Sequence, residues 1–201
     1  MKKQFHNLKL FLISGMVLVS LTVISCAPKL KIMVETDAVY STKRISLKYY
    51  SKDDNKNSPL IYLQQSIVKE IKTNDEITYT VFDILAMNSE SFNLQEKVFI
   101  IVDKEVYPMI LRGTEYEYAK NVTENKTDLL LADSTTVSVV TGYSENNMKK
   151  FRFSYNLSDT LISKIQNSDE VLFRYYSGPA MLTVPLKDRK LEKVKQLIAR
   201  D

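Results

Sequence analysis

From residue 31 onward, apolar and polar residues alternate with a period of two, which places one set of side chains on one face of a strand. The run KIMVET opens the pattern. Ile45, Leu47 and Tyr49 then alternate with Ser46 and Lys48, and Ile77, Tyr79 and Val81 with Thr78 and Thr80. VFIIVD and EVYPMIL, residues 98–111, predict two strands joined by a short turn at Asp103-Lys104. Pro108 cannot donate a ladder hydrogen bond, so the second of these is expected at a sheet edge or a bulge. TTVSVVTGY (135–143) and KKFRFSY (149–155) predict a further hairpin around Ser144 to Met148, with Phe151, Phe153 and Tyr155 on one face. Residues 112–127, between these hairpins, form the most polar connection.

The period changes near the C-terminal end. Ser158 is a good N-cap for a short helix near 158–167, DTLISKIQN, with Leu161, Ile162 and Ile165 on one side. EVLFRYY, a turn at Ser177-Gly178-Pro179, and AMLTVPL predict a third hairpin. A last helix is expected near 187–200, where Leu191, Val194 and Ile198 make a narrow apolar stripe and Lys190, Lys193, Lys195 and Arg200 occupy the other faces. The elements together predict a mainly β (α+β) fold: one antiparallel, sandwich-like domain over residues 31–201 with two helices late in the chain.

The first thirty residues follow a different logic. MKKQFHNLK carries Lys2, Lys3 and Lys9 and no acid, and the run from Leu10 to Pro28 is uncharged. A basic segment followed by an apolar one is the layout of a secretory signal peptide, although the run is also long enough for a membrane-spanning helix. Val23-Ile24-Ser25 followed by Cys26 resembles the lipobox of bacterial lipoproteins: aliphatic, tolerant, small, then cysteine. That resemblance covers residues 1–26. It implies cleavage before Cys26, a covalent lipid on the Cys26 sulfur and acylation of the new amino group. Two or more acyl chains give stable anchoring where one gives only marginal binding. The resemblance thus implies a membrane partner, residues 1–25 as the signal peptide, and 26–30 as a very short lipidated tether. Ala27 is not a retention acid, so outer-membrane sorting within the cell envelope is the expectation. The competing reading is an uncleaved signal anchor.

Processing at Cys26 changes the charge balance. The full chain has 28 basic and 24 acidic residues, net +4, but three lysines and no acid precede Cys26, leaving 25 and 24, net +1. No basic excess then calls for nucleic acid. The single histidine, His6, also lies in the leader, and Cys26 is the only cysteine. Residues 27–201 therefore lack the imidazole and thiol of Ser-His-Asp and Cys-His catalysis, and the His and Cys ligands of zinc, haem and iron–sulfur sites. No cofactor and no metal are expected beyond the lipid.

The candidate sites are weighed against that background. Asp53-Asp54-Asn55-Lys56-Asn57-Ser58 offers oxygens at alternate positions like a calcium loop. Ser58 replaces the turn glycine, however, and Gln64 the bidentate glutamate, so a polar turn accounts for it. Ser66-Ile67-Val68-Lys69 fits the S-x-x-K pattern of penicillin-recognising enzymes, without its companion motifs. Glu115-Tyr116-Glu117-Tyr118 places two carboxylates on one face, about 7 Å apart if extended. Paired carboxylates can hydrolyse glycosidic bonds, and tyrosines can line a binding loop. Arg174 shares a strand face with Leu172 and Tyr176, a forked cation beside aromatics that suits a carboxylate or phosphate. Asp133-Ser134-Thr135 and Asp159-Thr160-Leu161 resemble the O-glycosylation pattern of some envelope bacteria. The functional expectation is a non-enzymatic envelope lipoprotein that binds a partner protein or ligand, with a carboxylate hydrolase as the alternative.

Overall fold

The computed structural model describes residues 30–132 and 134–200; Cys26, its lipobox Val23, Ile24 and Ser25, and Asp133 lie outside the described residues. Among the described residues, twelve strands and two helices follow in chain order. The first six strands are β1 (Ile32–Asp37), β2 (Thr42–Ser51), β3 (Leu60–Ile71), β4 (Ile77–Asn88), β5 (Leu94–Val102) and β6 (Glu105–Met109). Next come β7 (Arg112–Ala119), β8 (Val122–Leu130), β9 (Thr136–Glu145) and β10 (Met148–Leu157). Helix α1 (Asp159–Asn167), β11 (Val171–Ser177), β12 (Ala180–Leu186) and α2 (Asp188–Ile198) complete the chain.

Two antiparallel sheets form the body. One has the order β1-β2-β3-β4-β10-β7 and the other β12-β11-β5-β6; β8 and β9 pair only with each other. Period-two alternation turns Ile45, Leu47 and Tyr49 of β2 and Phe151, Phe153 and Tyr155 of β10 inward. They meet Val98 and Ile100 of β5, Phe173 and Tyr175 of β11, and Leu182 and Val184 of β12 in one apolar core. This is the sandwich-like, mainly β fold that the alternation predicts.

Local chemistry sets the turns and ends. Asp103 and Lys104 both take positive φ, 46° and 77°, as a two-residue turn whose twist matches its strands requires. Pro108 sits in β6, the edge strand, with Phe99 of β5 as its register partner. Ser158 caps α1 by accepting from the Leu161 N–H at 3.3 Å. Helix α2 buries Leu191, Val194 and Leu197 and packs on β2 and β3. Its open C-terminal carbonyls are met by a buried lysine: Lys69 Nζ donates to Ile198 O at 3.0 Å and to Arg200 O at 2.6 Å. A strand lysine thereby caps a helix terminus that would otherwise end without partners.

One predicted hairpin is corrected. β9 and β10 follow each other but do not pair; β9 pairs with β8, and β10 lies between β4 and β7. A tight hairpin link needs residues with positive φ, and neither Asn146 nor Asn147 between the two strands has one. The chain runs straight on instead. The same holds on the partner side, where Lys120-Asn121 links β7 to β8, and the Asn146 N–H donates to Asn121 O at 2.8 Å. The polar stretch 112–127 is therefore strand, not connection.

Candidate functional site

β7–β8 and β9–β10 together make one long two-stranded ribbon. Its root is woven into the six-stranded sheet, and its outer part, β8–β9, is a free arm. At 3.3 Å per residue, the nine residues of β8 extend about 30 Å. The chain reverses at the tip, where Leu131 N–H donates to Thr135 O at 2.8 Å and Ser134 takes φ of 67°. All nine residues of β8 are exposed, as are nine of the ten in β9.

The arm is chemically graded along its length. At the root, Lys120 pairs with Glu145 at 2.9 Å beside the exposed Val122 and Tyr143, and midway along Lys126 pairs with Glu124 at 3.1 Å. Hydrogen bonding to Lys120 holds the Glu145 carboxyl below the ordinary glutamate range. Toward the tip the side chains become more apolar: Leu129 and Leu130 of β8 and Leu131 just past it, with Val137 and Val139 of β9, while Val140 stands opposite Lys126 at mid-arm. Leu129 stands opposite Val137, and Leu130 is 74% exposed. Scattered surface apolar residues are normal, but five large aliphatic side chains, Leu129, Leu130, Leu131, Val137 and Val139, spread over the two faces of one unsupported tip form exposed apolar surface of the kind that marks interaction sites. Two free strand edges flank it, and such edges also pair readily with another chain.

The sequence-derived candidates are dispersed. Glu115, Tyr116, Glu117 and Tyr118 lie on β7, at the edge of the six-stranded sheet. Register splits them: Glu115 and Glu117 stand opposite Arg152 and Lys150 on the outer face, while Tyr116 and Tyr118 stand opposite Phe151 and Lys149 on the core side. The Tyr116 and Phe151 rings pack with centroids 5.1 Å apart. Glu117 is hydrogen-bonded by Arg152, which holds its carboxyl below the usual range, with Lys150 at 3.9 Å. Arg174 and Tyr176 face outward from β11 in the other sheet; Arg174 Nε donates to Thr183 Oγ1 at 3.3 Å, and Tyr176 meets Phe99 edge-on at 6.0 Å. Arg174 bonds a hydroxyl, not an acid, and stays part of its own sheet.

Two motif matches dissolve in the fold. Ser66 and Lys69 are three apart on strand β3, so they point to opposite faces, whereas S-x-x-K chemistry needs them together. The Asp53 carboxylate is used within its own turn, accepting from the Asn55 N–H at 3.0 Å and the Ser58 hydroxyl at 2.8 Å. Asp159 and Thr160 form the exposed first turn of α1, where the acid suits the helix dipole.

A polar cluster missed by the sequence reading lies between the sheets. Asp83 of β4 accepts from Gln65 Nε2 at 3.0 Å, Tyr155 OH at 3.0 Å and Tyr175 OH at 2.8 Å. Burial pushes its carboxyl up to about 6 against the lowering effect of those three donors. Tyr175 belongs to the opposite sheet, so the cluster ties the two layers together. Its signal was present: Asp83 falls in step with Tyr79, Val81 and Leu85 on the apolar face of its strand. Sealed at 1% exposure, Asp83 is a structural clasp and has no access to substrate.

No protein-family model matches the chain, no curated protein matches it in sequence, and no solved structure matches its fold. Among the described residues, no helix is long and apolar enough to cross a membrane, and no group of acidic or sulfur side chains is arranged to hold a metal ion.

Proposed function

We propose that this chain is a lipid-anchored protein of the bacterial cell envelope, sorted to the outer membrane in the sense its Ala27 implies, that works by binding another envelope protein through its arm. The anchor half of the reading rests on the lipobox-like Val23-Ile24-Ser25-Cys26. The binding half rests on one observation: an arm about 30 Å long that exposes Leu129, Leu130, Leu131, Val137 and Val139 at the end farthest from the core. A hydrophobic tip that stabilises nothing in its own fold is maintained for contact elsewhere.

A carboxylate hydrolase is less well supported. It needs an accessible acid that keeps its proton at working pH. Glu117 is held ionised by Arg152, and Asp83, whose carboxyl is pushed up, is enclosed between the sheets.

Two measurements test the reading. A clickable palmitate should label the wild-type chain and not Cys26→Ser; equal labelling contradicts the anchor. In mild detergent the wild-type chain should migrate in an assembly larger than its own mass. Leu129→Asp combined with Leu130→Asp should release it as the lone chain, and unchanged migration would contradict the arm's role.

A further inference from the structure

We infer that the stripe of helix α2 carrying Arg189 and Lys193, with Arg200 just past the helix end, is the membrane-facing surface of the protein and binds the anionic headgroups of the bilayer that holds its lipid. The inference rests on the proposed acylation of Cys26.

The starting observation is where the described chain begins. Leu30 is four residues after Cys26, and it lines a surface depression of about 580 Å³ together with Lys31 and Ile32. The opposite wall is Arg189, Lys193, Gln196 and Arg200. Arg189, Lys193 and Gln196 are spaced by four and three residues, which places them on a single stripe of the helix, and Arg200 follows two residues beyond its end. Its inner stripe, Leu191, Val194 and Leu197, is buried in the core. The outward stripe is therefore a fixed surface on a rigid element, held beside the point where the anchor must attach.

Its charge is of one sign. Lys31, Arg189, Lys193 and Arg200 supply four cations, no acidic residue lines the depression, and none of the four forms an ion pair among the described residues. Other lysines of the same helix are spent internally: Lys190 donates to Ser51 Oγ at 3.0 Å and Lys195 to Ser168 O at 2.5 Å. On the stripe beside Leu30, Lys193 donates to Gln196 Oε1 at 2.8 Å within the stripe itself, so its charge stays at the surface with that of Arg189.

A second depression of about 730 Å³ adjoins the first, sharing Leu30, Lys31 and Arg189. Met33 and Tyr50 line it; both are about half exposed, at 49% and 54%. Its rim carries Lys31, Arg44, Lys48, Arg189 and Lys190 against one acid, Glu35. An apolar and aromatic floor beside a rim with a cationic excess suits a bilayer interface, where an aromatic ring sits at headgroup depth and each basic residue near an anionic surface adds to attachment. Four to five residues of extended chain reach about 15 Å, so a lipid on Cys26 cannot hold this surface far from the membrane.

The test uses the acylated full-length product, purified in detergent and reconstituted into vesicles of phosphatidylcholine, with or without phosphatidylglycerol. Since the only cysteine of the chain is Cys26, Gln196→Cys provides one labelling site on the stripe, and Glu124→Cys provides one on the arm. An environment-sensitive fluorophore at position 196 should shift to the blue when phosphatidylglycerol is present, and high salt should reverse the shift. Arg189→Glu with Lys193→Glu should abolish it while leaving the thermal midpoint in place, since neither side chain enters the core. The arm probe at 124 should not respond. An acylated, vesicle-bound chain whose 196 probe reads the same on both vesicle types overturns this inference alone. A purified product whose mass shows no acyl groups overturns it together with the anchor.

Discussion

Asp83 is the residue on which the two sheets converge, and its burial carries a thermodynamic signature. Its carboxyl stands near 6 in the folded protein and near 3.8 when unfolded, so between those values the folded state holds the extra proton. Stability from this group is therefore fully present below about pH 4 and is lost as pH rises to about 6, by about 3 kcal/mol in all. The exposed Glu76, Glu117 and Glu145, held low by hydrogen bonds from Lys72, Arg152 and Lys120, and Glu105, held low by the Tyr107 hydroxyl and then Lys164, act in the opposite direction. Comparing Asp83→Asn with wild type separates the two effects: urea denaturation across pH 4 to 7 should show the wild-type decline and its absence in the variant. Parallel curves would contradict the assignment. At Gly178, φ is +54° and an added Cβ would lie 2.5 Å from the Phe92 ring, so Gly178→Ala should cost about 2 kcal/mol or more. Gly113 has a similar φ of +61° with nothing within 4 Å, and Gly113→Ala should cost only about 1 kcal/mol. Ser158→Ala should remove about 1 kcal/mol by uncapping α1. Thermal midpoints rank all three.

At the scale of elements, what was legible in the sequence was what local physics controls. The turn at Asp103-Lys104, the edge position of Pro108, the Ser158 cap and the hairpin around Gly178 each follow from the conformational demands of one or two residues. The pairing of β8 with β9 did not follow. An alternating strand looks the same whether its partner is the next strand or the previous one, and only the φ values at Asn146 and Asn147 exclude the nearer choice. The arm was hidden for a related reason. Val137 and Val139 alternate like core residues, and nothing local shows that the core does not reach them. Asp83 was obscured in the reverse sense, an acid placed in an apolar register whose partners, Gln65, Tyr155 and Tyr175, come from three other strands. The element-level prediction concerns independence. Since β8 and β9 pair only with each other, their amides should exchange with deuterium far faster than those of β3, β4 and β10. Replacing residues 123–144 with a short turn should leave the thermal midpoint within a few degrees of wild type. A large drop would mean that the arm supports the core.

The whole molecule has two ends with different chemistry. At one edge of the six-stranded sheet, β1 begins six residues from Cys26, the position of the proposed lipid, beside the cations of α2. At the opposite edge, β7 and β10 extend into the arm and carry its apolar tip away from the core. With five strand steps of about 4.8 Å between them, the edges lie about 24 Å apart. This polarity is what a tethered binding protein needs: one side held at a bilayer, the other offered to a partner. The most direct measurement of that claim is photocrosslinking in living cells. A photoreactive amino acid at Leu130 of the full chain, with a second version at Glu96 on the sandwich as control, reports what touches the tip. The account predicts a discrete adduct to a single protein from Leu130, none from Glu96, and its loss when Leu129 and Val137 are changed to aspartate. An intact, membrane-bound chain that yields no protein adduct from Leu130, or yields the same adducts from both positions, would contradict it.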